Sequence, residues 1–330
     1  MICVFQNRAK KLKASGIDGF VLFNRIPEDV HNPNFFYFTN CDIPGVFYYD
    51  FKKPILFTNI LEETSQTCIK NTVRIKKMSE VMDEINARAL GIDKPHTALS
   101  VFDGIPNNKK RKFVDISEKL EQMRSIKSKE EIESIKKSAD ISKKVFENIC
   151  SEDIFHMTEC ELHGLIDCQI TSRGAEPAFR TIVASGKNIA VPHHRSTTEK
   201  IGKTLLIDFG ARFNGYCTDV TRTFNSKYEG MLKKIIADVE NKLKPGARAA
   251  DLDVFVRKKL GNQSKLFITS LGHGIGISVH ELPRISMNSK DVLEKDMILT
   301  LEPGIYVKDG IRIENDYLIT EDGCKKLTNF

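Results

Sequence analysis

Asp208 and Asp219 each interrupt an apolar run in "LLIDFGARFNGYCTDVTRTF", residues 205–224. A buried carboxylate without a partner is costly, so each must meet a cation or lie outside a buried strand. Asn214-Gly215 separates the two runs. Asn-Gly suits a type I′ hairpin turn, which needs positive φ at both central residues. With these two at the turn, Phe213 pairs with Tyr216 and Asp208 lies opposite Thr221. Asp219 is two residues from Thr221, and residues two apart on a strand share a face. Both carboxylates therefore point to one side, within reach of a single cation. A bulge would alter the pairing without necessarily separating them. The alternative is that each aspartate sits at a frayed strand end in solvent.

Three further stretches favour the cation. In "SLGHGIGISVHE", residues 270–281, His273 lies between Gly272 and Gly274, which allow a backbone to approach a ligand closely, and His280 follows seven residues later. In "ILTLEPGIY", residues 298–306, Glu302 ends an apolar strand before Pro303-Gly304. In "GIRIENDYLIT", residues 310–320, Glu314 follows Ile311 and Ile313, with Arg312 as the flanking charge on its own face. Two aspartates, one histidine and two glutamates thus sit on strands or strand ends in the C-terminal half.

The elements that must position them are legible from pattern. In residues 1–120, Gly19–Phe23, Val46–Tyr49, Ile55–Phe57 and Val73–Ile75 read as strands, and Lys10–Ser15 as the end of a helix closed by Gly16. This predicts a small α/β domain without clustered catalytic groups. Near residue 120 the texture changes. Ser128 with Glu131, and Thr158 with Glu161, are capping-box pairs. Apolar residues recur at helical spacing behind each, and Gly174 is a stop for the second helix. Thr181–Ala184 then reads as a strand, followed by the hairpin. Gly230–Leu243 and Asp251–Leu260 read as helices, and Leu266–Ser270, Met297–Glu302 and Ile311–Thr320 as strands. Residues 128–224 and 227–320 therefore share a helix–helix–sheet order, which would set strands of both copies side by side around a cleft.

Composition limits the class. The 330 residues are 41% hydrophobic and 28% charged, with a formal charge of +6. That is a globular composition, not a disordered one. The lysines are scattered among glutamates, and the run Lys109–Lys112 has no interleaved aromatics, so it reads as a solvated loop and no nucleic-acid partner is expected. None of the eight cysteines forms a C-x-x-C pair, and no secretory leader or long apolar span is read. Free thiols in the cytoplasm, away from membranes, are the expectation. Cys217 shares the predicted face of Asp219 and reads as a packing thiol.

The chain resembles the "pita-bread" metallopeptidases, the family of methionine aminopeptidase, aminopeptidase P, prolidase and creatinase. The resemblance rests on "MRSIKSKEEIESIKKSADIS", "FRTIVASGKNIAVPHH", the hairpin above, "GHGIGISVHELP", "LTLEPGIYV" and "IRIEND", in family order. "NFFYFTNCDIPGVFYYDFKKPILFT" resembles the creatinase-type N-terminal domain. It implies an α/β (α+β) chain: an N-terminal domain over residues 1–121, then a pita-bread catalytic domain over 122–330 with pseudo-twofold halves. It also implies two divalent ions per subunit held by Asp208, Asp219, His273, Glu302 and Glu314, with Asp219 and Glu314 shared between them. Oxygen donors with one imidazole suit Mn, Co or Fe, with Zn possible. His193 and His280 occupy the family's active-site histidine positions, with His194 as a neighbour that a one-residue slip would exchange with His193. Glu302 is implied as proton shuttle, Arg312 as a group orienting a metal carboxylate, and Tyr306 as lining the pocket or a structural tyrosine.

The N-terminal domain argues against a methionine aminopeptidase. The compact chain is most like the short prokaryotic Xaa-Pro dipeptidases, acting on proline-containing dipeptides or short peptides. Arg284 is a candidate for the substrate carboxylate, or a surface arginine. Aminopeptidase P action on longer peptides is the alternative, and a non-catalytic binding module a remoter one. A homodimer is expected, with the aromatics of residues 34–38 available for its contact or for core packing.

Overall fold

The computed structural model describes residues 4–24, 32–77, 80–81, 84–103 and 111–330. The chain divides into two compact units, Met1–Met123 and Arg124–Phe330.

In the first unit, one sheet of six strands has the order β4-β3-β2-β1-β5-β6. The strands are β1 (Gly19–Asn24), β2 (Gly45–Tyr49), β3 (Pro54–Thr58), β4 (Thr72–Arg74), β5 (Ala89–Ile92) and β6 (Lys112–Asp115). Every position of β1 is buried, as expected of a central strand covered on both faces. Among the described residues the helices are α1 (Val4–Lys13), α2 (Pro33–Thr39), α3 (Leu99–Asp103) and α4 (Ser117–Ser125). Asn32 caps α2, its side chain accepting from the amides of Asn34 and Phe35. Phe35, Phe36, Tyr37 and Phe38 are all buried, and Phe38 stacks on Phe47 with centroids 5.8 Å apart. Core packing therefore accounts for this aromatic stretch, which is not an exposed contact surface. Lys109 and Lys110 of the basic run lie outside the described residues, while Lys112 opens β6.

In the second unit, the capping boxes at Ser128 and Thr158 are both formed, starting α5 (Lys129–Cys150) and α6 (Glu159–Thr171). Such caps contribute about 1 kcal/mol each. The strands that follow are β7 (Glu176–Pro177), β8 (Ile182–Ser185), β9 (Leu205–Phe209), β10 (Ala211–Phe213), β11 (Tyr216–Cys217) and β12 (Val220–Phe224). Val145, Ile149, Leu162 and Ile166 from the helices pack with Leu205, Ile207 and Phe209 in one core. The order then recurs: helices α7 (Glu229–Glu240) and α8 (Ala249–Leu260), then β13 (Gly272–Gly274), β14 (Glu281–Ile285), β15 (Ile298–Leu301), β16 (Gly304–Ile305), β17 (Ile311–Arg312), β18 (Asn315–Ile319) and β19 (Cys324–Lys326). Leu232, Ile236, Val256 and Leu260 pack with Leu299, Leu301 and Tyr317 in the second core.

Two predicted strands differ. Leu266–Ser270 is not a strand. A 3₁₀ turn occupies Gly261–Leu266, and Arg257 then takes the carbonyls of Phe267 and Thr269 at 2.7 and 2.6 Å, where a ladder would have used them. The run 311–320 is broken between β17 and β18, because the Glu314 amide turns aside to Thr221 O at 3.2 Å. That break joins the two halves: Arg222 Nη1 donates to Glu314 O at 2.7 Å, and the Asp219 amide donates to Asp316 Oδ2 at 3.2 Å.

Candidate metal centre

The hairpin adopts the register read from its turn. Phe213 pairs with Tyr216 and Asp208 with Thr221, and Asn214 and Gly215 have φ of 50° and 78°. The ladder is interrupted once. Gly210 lies so close to the facing strand that a Cβ there would stand 1.8 Å from Thr218 O. Past this crossing the chain enters a different sheet, and Asp219 sits in the gap between β11 and β12.

His273 arrives on β13. Its flanking glycines face backbone rather than ligand: a Cβ on Gly272 would meet Thr300 O at 2.1 Å, and one on Gly274 would meet Leu282 O at 2.0 Å. His273 Nδ1 lies 3.1 Å from Gly274 O, which can only accept, so Nδ1 carries the proton and Nε2 keeps a lone pair. Burial pushes this imidazole down to about 3, with the nearby His280 ring acting in the same direction. It is therefore neutral, and its approaches of 3.7 Å to Asp219 Oδ2 and 3.6 Å to Glu302 Oε1 are not ion pairs. Both are also too long for hydrogen bonds. The three groups face a common point without bonding one another.

Asp219, His273 and Glu314 offer donor atoms that all lie within 4.8 Å of one another. Asp219 Oδ1, Glu314 Oε1 and Asp208 Oδ1 are buried and have no hydrogen-bond partner. Burial, followed by the charges of Glu314 and Asp208, holds the Asp219 carboxyl well above its usual range. Burial and Glu302 do the same to Glu314. Burial pushes Glu302 up to about 7. Clustered buried carboxylates with unmet lone pairs, beside a neutral imidazole with its lone pair turned inward, are the donor set of an oxygen-rich divalent-cation site. The residues fit such ions.

Arg312 is the buried cation among these acids. Its Nη2 donates to Asp208 Oδ2, its Nε to Thr221 Oγ1 at 2.9 Å, and its Nη1 to Pro192 O at 3.3 Å and Tyr306 Oη at 3.4 Å. Thr221 Oγ1 donates in turn to Glu314 Oε2 at 2.7 Å. Tyr306 is buried, and Thr269 Oγ1 lies 3.3 Å from its hydroxyl.

The His280 ring lies 4.3 Å from that of His273, and burial, followed by the charge of His193, lowers the His280 imidazole from its ordinary range. His193 is exposed, whereas His194 turns to Glu159 Oε2 at 2.8 Å. Arg284 is exposed and stands opposite His273 in register. Cys217 is buried, its thiol pushed up to about 12 by burial.

Three acids escaped the sequence reading. Asp316 is buried beside Glu314, with Oδ1 lacking a hydrogen-bond partner. Its signal was its place two residues after Glu314, on a shared face. Glu281 is buried between Arg124 Nε at 3.0 Å and Lys127 Nζ at 3.2 Å. Glu159 is buried among donors from residues 185–197. Neither of the last two has a local signal, because their partners are remote in sequence.

Residues 133–321 match Metallopeptidase family M24, and residues 6–126 match the Creatinase/Prolidase N-terminal domain. The chain belongs to metallopeptidase family M24. It is 37% identical over 273 residues to a Xaa-Pro dipeptidase of Pyrococcus furiosus, covering 78% of each chain. The solved prolidase of Pyrococcus horikoshii OT3 superposes with a TM-score of 0.88 at 29% identity, over 98% of both chains. The X-Pro aminopeptidase of Thermotoga maritima MSB8 superposes with a TM-score of 0.85 at 29% identity, over 97% of this chain and 98% of that one.

Proposed function

We propose that this chain is a dinuclear-metal Xaa-Pro dipeptidase, with residues 1–121 as its N-terminal domain and 122–330 as its catalytic domain. The observation that carries the reading is the convergence of buried, unsatisfied carboxylate oxygens on the lone pair of His273. Identity to a Xaa-Pro dipeptidase across 78% of the chain supports the substrate class. The fold does not separate dipeptidase from aminopeptidase, since solved members of both kinds superpose on it.

In this reading Asp208, Asp219, His273, Glu302 and Glu314 hold two divalent ions, Mn, Co or Fe before Zn. Ions held by these residues would supply a lowered pKa for a water and polarisation of the scissile carbonyl. Glu302 takes the proton of the attacking water and passes it to the departing proline nitrogen. His193 and His280 donate hydrogen bonds to the carbonyl oxygen as it gains charge. Arg312 holds Asp208 and, through Thr221, Glu314. Tyr306 steadies Arg312 by accepting from its Nη1. Arg284 takes the free carboxylate of the dipeptide. The enzyme acts as a cytoplasmic homodimer.

The test is hydrolysis of Xaa-Pro dipeptides and Xaa-Pro-Yaa tripeptides by Mn- or Co-loaded protein against a chelated control. Dipeptide cleavage abolished by chelation is expected. Tripeptide cleavage alone would replace the reading with aminopeptidase P, and cleavage of neither by folded, loaded protein would overturn both.

A further inference from the structure

Glu159 opens α6, and its side chain is fully buried. Its neighbours in the capping box, Thr158 and Glu161, account for the helix start, so the cap does not require Glu159. The Glu159 carboxylate instead accepts five hydrogen bonds. Oε1 takes the Ser185 amide at 2.8 Å and Asn188 Nδ2 at 2.9 Å. Oε2 takes His194 Nε2 at 2.8 Å, the Thr197 amide at 3.0 Å and Thr197 Oγ1 at 2.9 Å. All five donors belong to one stretch, Ser185 to Thr197.

That stretch leaves β8, makes a 3₁₀ turn over Gly186–Ala190 and presents Pro192 and His193. It is also held at Gly186 O by the Asp309 amide at 2.9 Å and at Thr197 O by the Cys160 amide at 3.0 Å, and it reaches the candidate metal centre where Arg312 Nη1, on the guanidinium that also holds Asp208, donates to Pro192 O at 3.3 Å. The exposed His193 therefore stands between two fixed points, Pro192 tied to Arg312 and His194 tied to Glu159. A carboxylate has about four lone-pair sites, so five donors saturate it. The charge is compensated by hydrogen bonds that favour the ionised form, which lower the Glu159 carboxyl against its burial.

We propose that Glu159 is the positioning residue of His193: its carboxylate gathers residues 185–197 into the one conformation that delivers the His193 imidazole to the substrate. This rests on the reading of His193 as a substrate-facing group. Glu159 touches neither substrate nor donor set, and its effect is transmitted through His193. Glu159→Gln keeps the shape but replaces acceptor lone pairs with an NH₂ that faces donors. A displacement of about 1 Å in a catalytic group can cost about 100-fold in rate.

The experiment is a double-mutant cycle on the metal-loaded enzyme with a Xaa-Pro dipeptide, comparing wild type, E159Q, H193A and E159Q/H193A. Metal content is measured by elemental analysis and fold by circular dichroism. E159Q should lose about 10- to 100-fold in kcat with KM little changed and metal content intact, and the double variant should be no slower than H193A alone. H194Q and H194A carry the same test should E159Q fail to fold. The glutamine retains an N–H for Glu159, so H194Q should keep most of the activity that H194A loses, and H194A should add nothing to H193A. With H193A impaired, losses that multiply in the double variants, or an E159Q or H194A enzyme of wild-type kcat, would overturn the proposal. An H193A enzyme with wild-type turnover would instead overturn the site reading, and the proposal with it.

Discussion

Thr221 Oγ1 donates to Glu314 Oε2 at 2.7 Å, placing a hydroxyl from the first half of the catalytic unit on a carboxylate of the second. The same oxygen accepts from Arg312 Nε at 2.9 Å, so its proton is committed to Glu314. Removing the hydroxyl should release Glu314 from its orientation. Supporting partners of metal ligands are worth about 10- to 100-fold in metal affinity. Thr221→Val should weaken Mn or Co binding by that factor and Thr221→Ser should restore it, as read by competition with a chromogenic chelator. Equal affinity in all three proteins would rule the relay out.

Arg312 is the cation that offsets the buried acids, and Arg312→Ala should destabilise the chelated protein by about 3–5 kcal/mol, the cost of leaving a buried charge without its partner. Arg312→Lys cannot span Asp208, Thr221, Pro192 and Tyr306 with one ammonium, so it should recover little of that stability. Urea unfolding of the three chelated proteins measures both differences.

The acids also set a pH dependence. Burial raises Glu302 from its ordinary 4.5 to about 7, and Asp219 and Glu314 shift in the same direction. The folded, metal-free chain thus keeps protons that the unfolded chain releases, and stability falls as pH rises from about 4.5 through 7. Chelated protein should accordingly unfold at lower urea at pH 7.5 than at pH 5.5, and Glu302→Gln should flatten part of that slope. Metal uptake must displace the same protons. Calorimetric titration with Mn at pH 6.5, in buffers of differing ionisation enthalpy, should show proton release in the wild type and less in Glu302→Gln. Identical heats across buffers would contradict this.

Gly210 makes a purely steric prediction. A methyl there would stand 1.8 Å from Thr218 O, between Asp208 and Asp219, and backbone rather than a flexible side chain would have to move. Gly210→Ala should cost at least about 1–3 kcal/mol, the range for overpacking. It should also weaken metal binding, because the segments that part carry Asp208 and Asp219, two of the proposed donors. A thermal melt of the chelated protein checks the first effect and metal competition the second.

The pairing of Asp208 with Thr221 was legible because a two-residue turn sets the register on both sides of it, but the interruption at Gly210, which leaves Asp219 between two strands, was not. The glycines beside His273 were visible, but not their purpose. Whether a missing Cβ faces a ligand or another strand depends on a partner such as Thr300 or Leu282, which no local pattern reveals. The strand predicted at Leu266–Ser270 failed for a related reason: Arg257 takes its carbonyls, and a side chain's claim on remote backbone leaves no periodicity. Glu159 and Glu281 were hidden likewise. Their partners Ser185, His194, Arg124 and Lys127 lie far along the chain, and a fully buried glutamate looks, in sequence, like any helical or strand-end charge.

The division of the proposed donors between the halves has one more consequence. Asp208 and Asp219 come from the first helix–helix–sheet segment, and His273, Glu302 and Glu314 from the second. Neither segment carries a complete set. A cut in the connection around Asn225–Lys227 would leave two fragments, each with too few of the proposed ligands to hold ions tightly. Mixed together, they would have a reason to re-associate beyond their apolar faces, and the ions would act as the rivet. Reconstitution of such fragments should therefore depend on metal concentration, making assembly itself a gauge of occupancy that needs no substrate.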